Sequence, residues 1–143
     1  MDKVQADPNF NHTAIWVADL SAMMRFYEEV VGLERRFYFP PPATPPWASY
    51  SGLQLLAAPQ GTTIERPVTP AATPLERPAL GAFSHIGLGV VGDRDLDQLN
   101  ERLVAHGVKI VIPLITRQVG DHVARWVFFH DPEGNPVEVM KVD

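Results

Sequence analysis

The chain has 143 residues, of which 45% are hydrophobic, and a formal net charge of −5 at pH 7. This length fits one compact domain or two small modules that share a core. The acidic balance argues against a nucleic-acid partner, and no apolar run is long enough to predict a membrane span. Cysteine is absent, which excludes disulfides, thiolate metal ligands and thiol catalysis. Since no charged-then-apolar leader is present, we expect a cytoplasmic protein that acts on small molecules.

The first half of the chain begins with a predicted strand over 10–17 that contains His12. Either Asp19 or Ser21 is expected to cap the helix that follows, because both side chains can accept a hydrogen bond from its first turn. Gly32 is expected to end this helix in a left-handed conformation. The pattern therefore predicts a strand followed by an amphipathic helix.

Further strands complete this half. The sequence predicts a strand over 33–39 and a hairpin over 47–57 that turns at Ser51-Gly52. Gln54 is a polar residue among the leucines of the second hairpin arm. Residues 59–80 are rich in proline and lack periodicity, which indicates an extended connector.

The second half repeats the same order of elements. The predicted elements are a strand over 83–90 that contains His85, a helix capped by Asp93 or Asp95 and ended by Gly107, and strands over 108–112, 122–129 and 136–140. Two units built alike are the simplest account of this repetition.

A tight turn is predicted at residues 131–135, between the last two strands. Asp131 and Pro132 favour the start of a turn, and Gly134 supplies the positive φ that it needs. Glu138 then lies in the middle of the closing strand, flanked by valines. A carboxylate at such a position is costly to bury unless it pairs with a positive charge.

The two halves place four potential metal ligands at equivalent positions. His12 and His85 lie in the first strand of each half, and Gln54 and Glu138 lie in the last. A single strand histidine is more often a structural residue, but two at matching positions favour a shared site. Imidazole nitrogen with amide and carboxylate oxygen suits one divalent ion, such as zinc, nickel, cobalt, manganese or ferrous iron.

Three stretches resemble the vicinal oxygen chelate superfamily, which includes glyoxalase I, methylmalonyl-CoA epimerase, bleomycin- and fosfomycin-resistance proteins and extradiol dioxygenases. These stretches are 12–20, 26–33 and 129–138. The resemblance implies an α+β fold of two βαβββ modules, whose mixed sheets curl into a cup around the metal. Module one would cover about 8–58, the connector about 59–80 and module two about 81–143, all within one glyoxalase-like domain. Pairing of modules in this superfamily also implies a homodimer.

The four candidate ligands are compatible with more than one class of protein in the superfamily. Gln54 matches the second of four protein ligands in glyoxalase I and in the epimerase. His12, His85 and Glu138 alone would satisfy the two-histidine, one-glutamate set of the dioxygenases and fosfomycin-resistance proteins. Gln54 would then only line the cup.

Several positions depart from these relatives. Trp16 and Ala58 stand where glyoxalase I has the arginine and asparagine that hold glutathione. Phe128 stands where extradiol dioxygenases usually have tyrosine. The carboxylate base of the epimerase has no counterpart in 47–51. Glutathione and methylmalonyl-CoA are therefore not the expected substrates.

Other residues are candidates for binding a partly hydrophobic small molecule. Aromatic side chains at Trp16, Trp47, Trp126 and Phe128 are each commonly core or interface residues, but together they would suit an apolar or aromatic substrate. Arg125 would either bind an anionic group of the substrate or form a surface ion pair. His122 would act as an acid or base if strand alternation places it in the cup, and otherwise is an exposed strand-end residue.

We expect a lyase or isomerase in which the metal acts as a Lewis acid and Glu138 moves a proton next to a carbonyl group. The first alternative is a ferrous extradiol-type dioxygenase. The second alternative is a metal-free protein of the resistance type, which sequesters an apolar molecule.

Overall fold

The structure, a computed structural model, describes residues 11–66 and 83–143. The chain divides into two compact units, Met1–Ile64 and Glu65–Asp143. This division falls inside the connector predicted over 59–80, most of which lies outside the described residues, as does the start of the strand predicted over 10–17. In the described ranges, no helix has the length and apolarity needed to span a membrane.

The first unit has the order β-α-β-β-β. Its elements are β1 (His12–Val17), α1 (Leu20–Arg25), a π-helical segment (Phe26–Val31), β2 (Arg35–Phe39), β3 (Trp47–Tyr50) and β4 (Gly52–Ala57). The strands form one sheet in the order β1-β4-β3-β2. The pair β1–β4 is parallel and the other two pairs are antiparallel. The hairpin predicted to turn at Ser51-Gly52 is confirmed.

The helix of the first unit has the predicted ends. Asp19, one of the two proposed caps, accepts a hydrogen bond from the Ala22 N–H at 2.9 Å. Gly32 ends the helical region with a left-handed φ of 88°. The region is not one continuous α-helix, because its second half winds as a π-helix. The apolar spacing could not show this change, because Phe26–Val31 keeps its apolar side chains buried in the wider winding.

The sheet of the first unit has one buried face and one open face. Side chains that alternate along the strands pack on the helix side, and they are Ile15, Val17, Ala48, Tyr50, Leu53 and Leu55, all buried. The intervening residues point away from the helix. This second surface is called the open face of the first sheet.

The second unit has the same topology. Its elements are β5 (Ile86–Gly89), α2 (Asp93–Ala105), β6 (Ile110–Val119), β7 (His122–His130) and β8 (Pro136–Val142). The sheet order is β5-β8-β7-β6, again with one parallel pair, β5–β8. Its helix-side residues, Ile86, Leu88, Val127, Phe129, Val137 and Val139, are buried. The α+β fold of two βαβββ units is therefore confirmed.

Three details of the second unit differ from the sequence prediction. His85 lies directly before β5 rather than inside it. Gly92, not Asp93 or Asp95, is the cap of α2, and the Asp95 carboxylate accepts the Gly92 N–H at 3.2 Å. Strand β6 continues past Pro113, which ended the predicted strand. Proline is tolerated there because β6 is an edge strand with register shifts on both sides of Ile112.

The turn before β8 is held by a buried polar network. The Asp131 carboxylate accepts the backbone N–H of Glu133 at 3.0 Å and that of Asn135 at 2.8 Å. It also accepts the side-chain amide of Asn135 at 2.7 Å. Arg66 in turn donates to the Asn135 side-chain oxygen at 2.9 Å and pairs with Glu133. Gly134 has the predicted positive φ, 84°. The network fixes where β8 begins, and so where Glu138 lies.

Candidate functional site

Each unit brings one histidine and one oxygen donor to the open face of its sheet. In the first unit, Gln54 pairs with Ala14, which is two residues after His12. In the second unit, Glu138 pairs with Gly87, which is two residues after His85. The equivalence that the sequence repeat suggested is thus reproduced in the strand register. Alternation along β1 places His12 on the same face as Gln54, and His85, directly before β5, contacts Glu138 itself.

His85 and Glu138 are in contact. The His85 Nε2 atom lies 3.3 Å from the Glu138 Oε2 atom, and both side chains remain partly accessible, 32% and 20% exposed. The other ring nitrogen of His85 lies 3.0 Å from the Ser84 hydroxyl. The ring also packs edge-on against Phe128, with the ring centroids 5.1 Å apart. These contacts orient the imidazole so that Nε2 is directed at the carboxylate.

Two glycines keep the surface beside this pair open. Gly87 and Gly89 lie on the same face of the second sheet, and a Cβ atom added at either would meet nothing within 4 Å. Phe128 pairs directly with Glu138 in the register, and Trp126 pairs with Met140 next to it. A small molecule could therefore approach Glu138 over the glycines, with aromatic groups on the other side.

The first unit contains a cavity of about 220 Å³ on its open face. Both predicted ligands of this unit line it, together with aromatic, polar and basic side chains; the lining residues are Asn11, His12, Arg36, Phe37, Trp47, Ser49, Tyr50 and Gln54. Trp47 stacks on Phe39 with the ring centroids 4.6 Å apart, which holds the indole in place. Trp16 lies on the same face and is 49% exposed. Arg36 and Ser49 were not among the residues predicted for the site.

Tyr50 belongs to the wall of the cavity, but its hydroxyl is engaged elsewhere. It donates a hydrogen bond to Glu28 at 2.8 Å. Burial, followed by this hydrogen bond, raises the pKa of the Tyr50 hydroxyl well above its usual value. The hydroxyl therefore stays protonated at neutral pH and fastens β3 to the helix, so it is not a proton donor for a molecule in the cavity.

Arg125 and His122 are not close to the predicted ligands of the second unit. Arg125 lies on the helix side of β7, where it donates to Asp93 and Asp97, each at 2.7 Å. His122 begins β7, and one of its ring nitrogens lies 2.7 Å from the backbone oxygen of Asp143. It lies six steps along the strand from Phe128, the residue paired with Glu138, a distance of roughly 20 Å. This geometry gives no support to the roles predicted for them, the binding of a substrate anion by Arg125 and proton transfer by His122.

The donor set agrees with the chemistry of a divalent metal. Among residues 11–66 and 83–143, no group of three or more histidine, aspartate or glutamate side chains is arranged to hold a metal ion. Each unit has one imidazole and one amide or carboxylate oxygen donor of its own. Two imidazoles, an amide oxygen and a carboxylate are ligands that zinc, nickel, cobalt, manganese and ferrous iron accept.

The chain was compared with known families and structures. The glyoxalase/bleomycin resistance protein/dioxygenase superfamily model matches residues 9–139. No curated protein sequence matches the chain.

Solved structures with a similar fold come from several bacteria. A glyoxylase/bleomycin resistance protein/dioxygenase domain from Frankia sp. EAN1pec has a TM-score of 0.65 and 21% identity, over 99% of this chain and 100% of that one. The fosfomycin resistance protein FosX from Listeria monocytogenes has a TM-score of 0.58 and 18% identity, over 99% and 94%. TioX from Micromonospora sp. ML1 has a TM-score of 0.57 and 18% identity, over 92% and 96%. At these identities the likeness concerns the fold, so the reaction has to be argued from the residues.

Proposed function

Since the chain belongs to the glyoxalase/bleomycin resistance protein/dioxygenase superfamily, we propose that it is a divalent-metal-dependent enzyme that moves a proton next to a carbonyl group in a small molecule. The observation that carries this proposal is the contact between His85 and Glu138 on an open, glycine-floored face. A carboxylate held there by an oriented imidazole is both a metal ligand and a base in reach of a substrate.

The proposed ligands of the metal are His12, Gln54, His85 and Glu138. They are assigned from the matching register of the two units and from the donor chemistry. When bound, the metal would supply Lewis-acid polarisation of the carbonyl oxygen of the substrate.

Glu138 is proposed to take the proton from the carbon next to the carbonyl and to return it to the product. Its carboxylate is 20% exposed and lies beside the space over Gly87, so a substrate carbon can come close to it. Phe128 pairs with Glu138 and Trp126 pairs with Met140, so aromatic residues flank one side of the carboxylate. A positioned base of this kind contributes about 10²–10⁴-fold to the rate.

The experiment is anaerobic incubation of the metal-loaded protein with aromatic α-hydroxyketones and acyl thioesters in deuterated water. We expect deuterium at the carbon next to the carbonyl, detected by NMR or mass spectrometry. Glu138→Gln should abolish this exchange even with excess metal. Glu101→Gln, an exposed glutamate of α2, is the matched control and should leave it unchanged. Wild-type protein that holds metal but exchanges no deuterium would contradict the proposal.

A ferrous dioxygenase is the competing function, and one observation favours it. Gln54 pairs with Ser49 across the sheet and lines the cavity, as expected for a residue that contacts substrate rather than metal. His12, His85 and Glu138 would then form the ligand set of a non-haem iron oxygenase. Catechol cleavage that needs both ferrous iron and dioxygen, and that survives Gln54→Ala, would establish this alternative.

Members of the superfamily commonly form dimers, and the homodimer and the cytoplasmic location remain predictions for this chain.

A further inference from the structure

Ser84, the residue directly before His85, contacts the ring nitrogen that is not beside Glu138. The Ser84 hydroxyl oxygen lies 3.0 Å from His85 Nδ1, which is hydrogen-bond distance. His85 Nε2 lies 3.3 Å from the Glu138 carboxylate. The two nitrogens of this imidazole therefore have different partners, a hydroxyl at one and a carboxylate at the other. Ser84 was not among the residues predicted for the site.

The two partners differ in what they can do for a neutral imidazole. Such a ring has one N–H donor and one nitrogen lone pair. The ionised Glu138 carboxylate can only accept a hydrogen bond, so alone it favours the tautomer with the proton on Nε2. The Ser84 hydroxyl can donate or accept, so it can hold Nδ1 in either tautomer. The pair of contacts is thus compatible with both positions of the proton.

Metal ligation through Nε2 of His85 requires one of these tautomers. The lone pair must then be on Nε2, so the proton must be on Nδ1, where it needs an acceptor. The Ser84 hydroxyl can supply that acceptor by rotating from donor to acceptor, while Nε2 loses its proton to solvent and Nδ1 takes one from solvent. The charge of the ring does not change in this exchange.

A second contact limits how the imidazole can turn. Phe128 packs edge-on against His85, with the ring planes at 61° and the centroids 5.1 Å apart. Phe128 is itself buried and pairs with Glu138 in the strand register. This aromatic contact restricts the tilt of the imidazole, but it does not select a tautomer, because a phenyl ring has no polar group. The tautomer depends on the polar partners, Ser84 and Glu138.

We propose that Ser84 is a positioning residue for the metal site, whose hydroxyl accepts the Nδ1 proton of His85 and so stabilises the tautomer that has its lone pair on Nε2. The inference deepens the proposed function and rests on it for the assignment of His85 as a ligand. Loss of such a hydrogen-bond partner commonly lowers metal affinity about 10–100-fold. Because Ser84 is exposed and water can replace it in part, we expect about ten-fold, the lower end of that range.

The test measures the affinity of the chelator-treated full chain for Co²⁺, from the visible absorption of the bound ion, and for Zn²⁺ by competition. The titrations are run at pH 8, where imidazoles are generally neutral. Ser84→Ala should weaken the binding of both ions about ten-fold. Ser84→Thr keeps the hydroxyl and should retain the wild-type affinity. Ser21→Ala, at an exposed serine of α1, is the matched control with the same chemical change and should also retain it.

A second readout separates the hydrogen bond from a general loss of structure. In the zinc-loaded protein with isotope-labelled histidine, the Nδ1–H proton of His85 is followed by NMR and assigned from its contacts with Phe128. This proton should be protected from solvent exchange in the wild type and in Ser84→Thr. It should exchange several-fold faster in Ser84→Ala, although circular dichroism shows the variant to be folded.

Several results would overturn the role of Ser84. Equal metal affinity of the wild type and Ser84→Ala is one, and an affinity that Ser84→Thr loses as fully as Ser84→Ala is another. If Ser84→Ala does not fold, Ser84→Gly replaces it, and an unprotected Nδ1–H proton in the wild type would by itself refute the hydrogen bond. Wild-type protein that binds neither ion would overturn the ligand assignment and the role of Ser84 with it. The expected affinities without deuterium exchange would refute the proposed reaction and leave the role of Ser84 standing.

Discussion

Replacing Asp131 by alanine should destabilise the second unit strongly. The Asp131 side chain is buried, with the residue 4% exposed, and its carboxylate accepts three hydrogen bonds from Glu133 and Asn135. A hydrogen bond to a charged group contributes about 1.5–3 kcal/mol, and bonds that share one acceptor do not add fully. We therefore expect a loss of roughly 3–5 kcal/mol in the free energy of unfolding, because the substitution also leaves the amide groups of Asn135 without their acceptor.

The assay is urea unfolding followed by circular dichroism, with the free energy obtained by linear extrapolation. Asp131→Asn should give an intermediate loss, because the amide keeps one acceptor oxygen and places donors against the side chain of Asn135. Asp121→Ala, in the exposed turn between β6 and β7, is the matched control and should cost less than about 0.5 kcal/mol. A loss in Asp131→Ala no larger than in this control would refute the reasoning. The turn also sets the start of β8, so deuterium exchange by Glu138 should fall in Asp131→Ala under conditions where the protein is still folded.

The remaining predictions concern metal, titration and assembly. Purified protein should hold about one divalent metal ion per chain, as measured by mass spectrometry. His85→Ala and Glu138→Gln should each lower metal retention on the order of ten-fold. Full metal retention in a His12→Ala, His85→Ala double variant would contradict the ligand assignment. In an ultraviolet titration, the Tyr50 hydroxyl should ionise above the usual pH range for tyrosine, and this transition should be missing in Tyr50→Phe. Because the pKa of Tyr50 is raised in the folded protein, the stability from its hydrogen bond to Glu28 is complete below about pH 10. This stability is lost as the pH rises further. Light scattering should show a dimer, and a 15.9 kDa species alone at micromolar concentration would exclude it.

Much of the architecture could be predicted because local signals and the repeat agreed with each other. Glycine at positions 32, 52 and 134 marked a helix end and two turns, and all three have positive φ. The repeated order of strand, helix and three strands predicted the topology of both sheets, and the matching register of Gln54 and Glu138 follows from it. These features depend on short-range chemistry, which a single sequence contains.

The features that could not be predicted depend on contacts between distant residues. The bulge at Arg36 inserts one residue into β2, and an alternating pattern read from one strand cannot show which partner residue it opposes. Arg125 faces α2 because two aspartates lie there, more than 25 residues earlier in the chain. Strand β6 continues past Pro113 only because it is at the sheet edge. In each case the decisive neighbour is supplied by the fold.

The two units share a topology but not the same use of the open face. The cross-strand partner of Gln54 is Ser49, whereas the partner of Glu138 is Phe128. The small serine leaves room for the cavity of the first unit, and the large phenylalanine fills the corresponding place and packs against the ring of His85. The open face of the first sheet thus has a cavity, whereas the same face of the second sheet carries the contact between His85 and Glu138. A single cross-strand position, Ser49 in one unit and Phe128 in the other, therefore gives the two faces different shapes without any change in strand order.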